Sequence, residues 1–299
     1  MHIDLQKHCI LACVQVPSPP RTRKEKQVSE ETLRNHGAAR GMGAFFKALF
    51  PKEALGGLSK AGSKVRDAHN SNSLPWPVGR GVRLVPLRLL DRYRAEVRRA
   101  IQAYDEQVEL FTSQEVWEAW IDDAKRRLGD LFNPHDYPSP EELRARLKVD
   151  LRLSTVPSHN DVQAILGDVV GAEITRQVAV SIEDTAAVAL EESVKALVED
   201  ALTRVRSLDN YLSGEAKRFY QSNLDVIDRV VAMLESLPVP PDHPLKQTCT
   251  RVHGLLTGVR EKMPNVEAVK SLRGVSGAET KAVADANALL EQIDAELGM

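Results

Sequence analysis

Seven arginines crowd one short stretch of the sequence: Arg80, Arg83, Arg88, Arg92, Arg94, Arg98 and Arg99. A planar guanidinium donates paired hydrogen bonds to a phosphate, so such a run suits a nucleic-acid backbone. Trp76 and Tyr93 lie near enough in the sequence to stack on bases. On a helix Arg88, Arg92 and Arg99 share a face while Arg94 and Arg98 fall elsewhere. The candidate nucleic-acid contacts are therefore Arg80, Arg83, Arg88, Arg92 and Arg99. The competing reading is structural, with these arginines in ion pairs to acidic residues of the same chain.

Other constellations lead nowhere chemical. His8, Cys9 and Cys13 with Cys249 and His253 have metal-ligand residue types, and Cys249 and His253 would share a helical face. Cys9 and Cys13, however, sit in an apolar run where small buried hydrophobes are the ordinary occupants. Gly57 and Gly62 have P-loop spacing, but Ser63 and Lys64 follow in reversed order and no strand precedes them. The acidic pairs Asp122-Asp123, Glu141-Glu142 and Glu191-Glu192 are adjacent on helices, hence about 100° apart, and cannot share a proton. No nucleophile elbow, His-Glu-x-x-His, kinase loop or dinucleotide fingerprint occurs. No catalytic residue, cofactor or metal is expected.

The bulk properties agree with a soluble, mostly helical protein. Of 299 residues 42% are hydrophobic, 27% charged and only 5% aromatic. The net charge of −2 hides an asymmetry. Residues 1–100 hold 19 Lys and Arg against 8 Asp and Glu, and residues 101–299 hold 21 against 34. A basic part of this kind seeks nucleic acid, an acidic partner, or the acidic part of its own or a neighbouring subunit. Three cysteines make no disulfide framework. The longest apolar run is too short to span a membrane, so a cytoplasmic protein is expected.

The elements that must position these residues follow from periodicity. Leu90, Val97, Ile101, Tyr104, Val108 and Phe111 form one helical stripe. Thr112 and Glu115 have capping-box spacing, which predicts a restart into a second helix through Phe132. Ser139-Pro140-Glu141-Glu142 is the clearest helix start in the chain. Cys9 to Val16 reads as a buried strand, with Gly81 to Pro86 and Val149 to Val156 as candidate partners. Pro17 to Gln27 reads as a basic loop, and Ser29 as the start of a short helix. Phe45, Phe46, Leu49 and Phe50 read as an apolar patch crowded into one and a half helical turns. A helical pattern through Leu55, Leu58 and Val65 gives way to a loop from His69 to Gly81. Ser158 to Asp161 can cap a helix, and a long stripe runs from Val169 through Leu190, Val194, Leu197, Ala201, Val205 and Leu208 to Leu212. Three further helical stretches follow, the last behind a Ser276 to Glu279 capping box.

The expected fold is therefore mainly α, an elongated antiparallel helical bundle with a small β-sheet near the N-terminal region. Its parts are a basic region over 1–86, a helix pair and capped helix over 87–157, and a C-terminal bundle over 158–299.

The Arg-rich lead into Tyr93 to Phe111 and the turn from Leu128-Gly129-Asp130-Leu131-Phe132-Asn133-Pro134 to Tyr137-Pro138-Ser139 resemble an uncharacterised family of phage and mobile-element proteins, as does Pro157 leading into a helix. Members are often encoded beside MoxR-type AAA+ ATPases and von Willebrand-type partners. The resemblance implies that setting and an ATPase partner, and it supplies no catalytic residues. The expected function is a non-enzymatic interaction protein, an adaptor or substrate of a AAA+ machine, self-associating as a homo-oligomer. The alternative is a nucleic-acid-binding protein of phage DNA metabolism or host-defence evasion.

Overall fold

The computed structural model describes residues 5–157 and 172–298. In chain order the first elements are β1 (Cys9–Gln15), β2 (Thr22–Glu25), α1 (Lys26–Asn35), β3 (Phe45–Ala48), α2 (Lys52–Ser71), β4 (Leu74–Pro75) and β5 (Val82–Pro86). Then come α3 (Leu90–Phe111), α4 (Gln114–Leu128), α5 (Pro140–Arg146), β6 (Asp150–Thr155) and α6 (Ala172–Leu212). The chain closes with α7 (Gln221–Ser236), α8 (Pro244–Lys262), α9 (Val266–Ser271) and α10 (Ala278–Gly298). The fold is mainly α with a small four-stranded sheet, as the composition and periodicity predict. No described helix is long and apolar enough to cross a membrane.

The residues cluster into two units that do not follow sequence order. One comprises 1–13, 72–93 and 153–299, and the other 14–71 and 94–152. The cuts fall inside β1, α3 and β6, so each of these elements contributes residues to both.

In the first unit the sheet order is β4-β5-β1-β6. β1 pairs antiparallel with β5 from Cys9 opposite Pro86 to Cys13 opposite Val82, which bears out the predicted partner. β4 was not expected inside the 69–81 loop. Leu74 is buried and pairs with Leu84, so an apolar side chain draws this short segment into the sheet. The helices bury the predicted stripe of α6, and Leu224, Ile227 and Leu234 of α7, Val252 and Leu256 of α8, and Val283, Leu290 and Ile293 of α10 join the same core. Leu5, Cys9 and Leu11 belong to it as well. Tyr220, one turn before Leu224 and in step with the buried stripe of α7, is exposed because it sits at the N-cap in an extended conformation. The predicted Ser158 to Asp161 cap lies outside the described residues.

The second unit is built on α3. Its Tyr104, Val108 and Phe111 meet Leu55, Leu58 and Val65 of α2 and Leu143 of α5 in one core. Phe50 anchors that core, with ring centroids 5.3 Å from Phe111, 5.7 Å from Trp117 and 5.6 Å from Tyr137. The α5 capping box forms as predicted: the Glu142 amide donates to the Ser139 hydroxyl at 3.2 Å, and the Ser139 amide donates to the Glu142 carboxylate at 3.1 Å.

Three local expectations fail for identifiable reasons. Thr112 does not cap α4. Its hydroxyl donates back to the Val108 carbonyl at 2.7 Å, and Ser113 takes the N-cap position without a capping bond, its hydroxyl donating to the Leu110 carbonyl at 2.9 Å. Ser29 does not start α1, which begins three residues earlier; its hydroxyl bonds the Glu25 carbonyl and accepts from the Phe45 amide at 2.9 Å. At the start of α10 it is the Thr280 hydroxyl that accepts from the Gly277 amide, at 3.0 Å.

Candidate functional site

The five predicted nucleic-acid arginines do not share one environment. Arg80 is exposed at the tip of a turn between Gly79 and Gly81, both at positive φ. Arg83 is half-buried on β5, donating to the Ser73 hydroxyl at 2.8 Å and the Ser73 carbonyl at 2.9 Å. Burial pulls its guanidinium below the ordinary arginine range, with Tyr93 opposing the shift. That side chain braces β5 and is not turned to a ligand. Arg88, Arg92 and Arg99 are exposed, the last two two turns apart on α3. Arg80, Arg83, Arg88 and Arg92 belong to the first unit and Arg99 to the second. Tyr93, the expected stacking surface, is wholly buried, and burial drives its hydroxyl far above the usual tyrosine range.

The other constellations also resolve. Gly57 and Gly62 lie inside α2, so no phosphate-cradling loop forms. Cys9 and Cys249 are buried in the apolar core, and burial pushes their thiols up to about 12 and about 11. His253 Nε2 lies 2.8 Å from the Glu235 carboxylate. Among the described residues no three His, Cys, Asp or Glu side chains come together to hold a metal ion. Asp105 and Glu109, one turn apart on α3, face a groove lined also by Arg144 and Lys148. The Asp105 carboxyl is held up by partial burial and by the Glu109 charge, which Lys148 offsets. Both carboxylates are exposed to water.

The unusual surface lies in the second unit, on residues the periodicity misassigns. Phe45 and Phe46 are not on a helix. They lie in β3, which pairs antiparallel with β2 so that Lys24 opposes Phe46 and Arg23 opposes Lys47. Side chains alternate across a strand pair. Thr22, Lys24, Phe46 and Ala48 therefore share the outer face, all exposed. The inner face carries Arg23, Glu25, Phe45 and Lys47. Lys47 is buried at 2% exposure; its ammonium pairs with Asp136 at 2.5 Å and with Glu25, and donates to the Leu131 carbonyl at 2.6 Å. Arg23 holds the other Asp136 oxygen at 2.9 Å. Burial alone would lower the Lys47 pKa, but the hydrogen bonds and charges of Asp136 and Glu25 outweigh it and hold the pKa above the usual range.

This clamp fixes β3 from below and leaves Phe46 on the outer face, while Phe45 falls on the side of Lys47 and Glu25 at the edge of the strand pair. Met42 is 78% exposed, Phe46 57% and Phe45 38%. The surroundings are basic, since residues 14–71 hold 11 Lys and Arg against 5 Asp and Glu. Next to β2 a cleft of about 120 Å³ is lined by Ser18, Arg21, Ser59, Gly62, Ser63 and Arg66, with Tyr104 at its edge. Neither Thr22–Glu25 nor Phe45–Ala48 alternates apolar with polar residues, so the sequence carried no strand signal for this pair. Comparison with protein-family models, with curated proteins and with solved structures finds no match.

Proposed function

We propose that this chain is a non-enzymatic interaction protein that holds a partner on the face made by the 36–44 loop and the outer side of β2 and β3. The supporting observation is the exposure of Met42 on that loop and of Phe46 on that strand face. Large apolar side chains exposed in a charged surrounding mark interaction surfaces. The resemblance of the Tyr93 to Phe111 and Leu128 to Ser139 segments supports a phage or mobile-element setting in the host cytoplasm, with a AAA+ ATPase of the MoxR type as protein partner. The opposite charges of residues 1–100 and 101–299 support self-association. A second reading, nucleic-acid binding, is favoured by the basic rim of this same face and not by Arg80 to Arg99, where Arg83 and Tyr93 are turned inward.

A photoreactive residue placed at position 46, in the native host, tests the first reading. The expected result is a covalent adduct to one protein or to a second copy, lost on Met42→Ser with unfolding unchanged. A protein that stays monomeric at every concentration and acquires no adduct refutes it.

A further inference from the structure

We infer that the cleft beside β2 binds a dianionic phosphate group, free or as a monoester, between Arg21 and Arg66. The site lies within the second unit and includes no residue of the outer β2–β3 face, so it stands independently of the interaction reading. Its charge is unused within the fold. Arg21 makes one long bond, 3.4 Å to the Ser59 hydroxyl, and Arg66 one of 3.4 Å to the Val16 carbonyl. A guanidinium has five N–H donors, so most remain for a ligand. Neither arginine forms an ion pair among the described residues, and no Asp or Glu lines the cleft. Other arginines of this unit do find carboxylates: Arg23 holds Asp136, Arg127 holds Asp123 and Arg144 holds Glu109.

Both guanidiniums lie against one stretch of α2. Arg21 reaches Ser59, and Arg66 Nη1 stands 3.7 Å from where a Cβ at Gly62 would lie. Ser59 and Gly62 are neighbours on the helix surface, about 5–6 Å apart at Cβ. The hydroxyls of Ser18, Ser59 and Ser63 line the same cleft and supply further donors. The walls are preformed. The connector from β1 to β2 carries Pro17, Pro19 and Pro20, whose rings fix the backbone. It is also tied down along its length: the Val16 carbonyl accepts from Arg66, the Pro17 carbonyl from the Tyr104 hydroxyl at 3.0 Å, and the Arg21 carbonyl from the Leu49 amide at 2.9 Å. Gly62 lets this connector close on α2, since a Cβ there would meet Val16 Cγ1 at 3.2 Å. Walls held in this way lose little freedom when a ligand enters.

Size and charge select the ligand. The cleft's 120 Å³ is about four water volumes, room for a tetrahedral oxyanion. Arginine forks match phosphate oxygens, and a cleft with two such cations and no counter-charge favours an anion. Two positive charges match a dianion better than the single charge of a phosphodiester. A diester would also have to lead both of its ester arms out of so small a space.

Titration calorimetry on the full chain tests this with inorganic phosphate, methyl phosphate and dimethyl phosphate. The first two are expected to bind, and dimethyl phosphate about tenfold more weakly than methyl phosphate. Whichever of the first two binds more tightly identifies the source, an ester or the free ion. Arg21→Gln and Arg66→Gln should each weaken methyl phosphate about tenfold. Lys24→Gln is the control: it removes the same charge from the opposite side of β2 and should leave the affinity within about twofold at physiological salt. Circular dichroism and melting confirm that the variants fold, and all three side chains are exposed. No binding of either dianion, dimethyl phosphate bound as tightly as methyl phosphate, or unchanged affinity in either arginine variant overturns the inference. So does a loss in Lys24→Gln as large as in Arg66→Gln, which would mark diffuse surface charge in place of a site.

Discussion

The buried Lys47 clamp makes a quantitative prediction. At an effective dielectric near 20 the attraction between Lys47 and Asp136 is about 6 kcal/mol, and desolvating the two ions costs several kcal/mol each, so the intact pair adds little net stability. Removing one partner is another matter, because a charge is then left inside without its match. Lys47→Met leaves the Asp136 carboxylate, 3% exposed, with only Arg23 at 2.9 Å, a side chain that is itself half in solvent. The expected cost is about 3 kcal/mol, the lower end for a broken buried pair, since Arg23 remains. Asp136→Asn should cost about the same, because Lys47 keeps Glu25 and the Leu131 carbonyl. The double variant should cost little more than either single change, giving a coupling of about 3 kcal/mol.

Urea unfolding measured by tryptophan fluorescence reads this in a Trp76→Phe background, where the remaining Trp117 and Trp120 both report on the second unit. The pH dependence supplies a further check. The Lys47 pKa is raised in the folded chain, so its contribution is fully present below the ordinary value of 10.5 and is lost as pH rises beyond it. The gap between wild type and Lys47→Met should therefore hold between neutral pH and about 10 and narrow above that. Single costs below about 1 kcal/mol, or costs that simply add, would refute the assignment of these residues to one buried charge cluster.

Three other outcomes follow from the structure. Burial raises Cys9 from 9.0 to about 12 and Cys249 from 9.0 to about 11, so the stability tied to their protonated forms is intact below pH 9 and lost as pH climbs through 11 and 12; Cys9→Ala should remove about 2 kcal/mol of the loss seen at pH 11 in chemical unfolding. Gly129 closes α4 at φ 53° and ψ −126°, a conformation closed to side-chain-bearing residues without strain, so Gly129→Ala should lower stability by about 2 kcal/mol in thermal unfolding. Ser139→Ala should cost about 1 kcal/mol and increase amide exchange in the first turn of α5, where the Glu142 amide loses its acceptor.

Long amphipathic helices were legible in the sequence because their signal repeats. The stripes of α3 and α6 and the Ser139 cap each follow from several residues that agree. The β1–β5 pairing was legible too, since Cys9 to Val14 is apolar throughout and the run stops before Pro17. What the sequence hid was decided by contacts distant along the chain. Four residues of β2 are charged or polar and look like loop, and only the pairing with β3, together with the reach from Lys47 to Asp136, makes them a strand. Phe45 and Phe46 then separate from Leu49 and Phe50, which are buried, although all four look equally apolar in sequence. The arginine run misled for the converse reason. Spacing cannot show that Ser73 occupies Arg83, or that Tyr93 turns inward.

The interleaving of the two units sets an order of events during synthesis. Leu5, Cys9 and Leu11 leave the ribosome well before their apolar neighbours on α6 to α10. At translation speeds of about 5–20 residues per second, β1 waits roughly 15 to 60 s for that core. During the wait an unshielded strand of Cys, Ile, Leu, Ala and Val is a target for chaperones and for neighbouring nascent chains. Fragments cut at any single point in the chain inherit the same exposed strand or lose it altogether, so this protein is better handled whole.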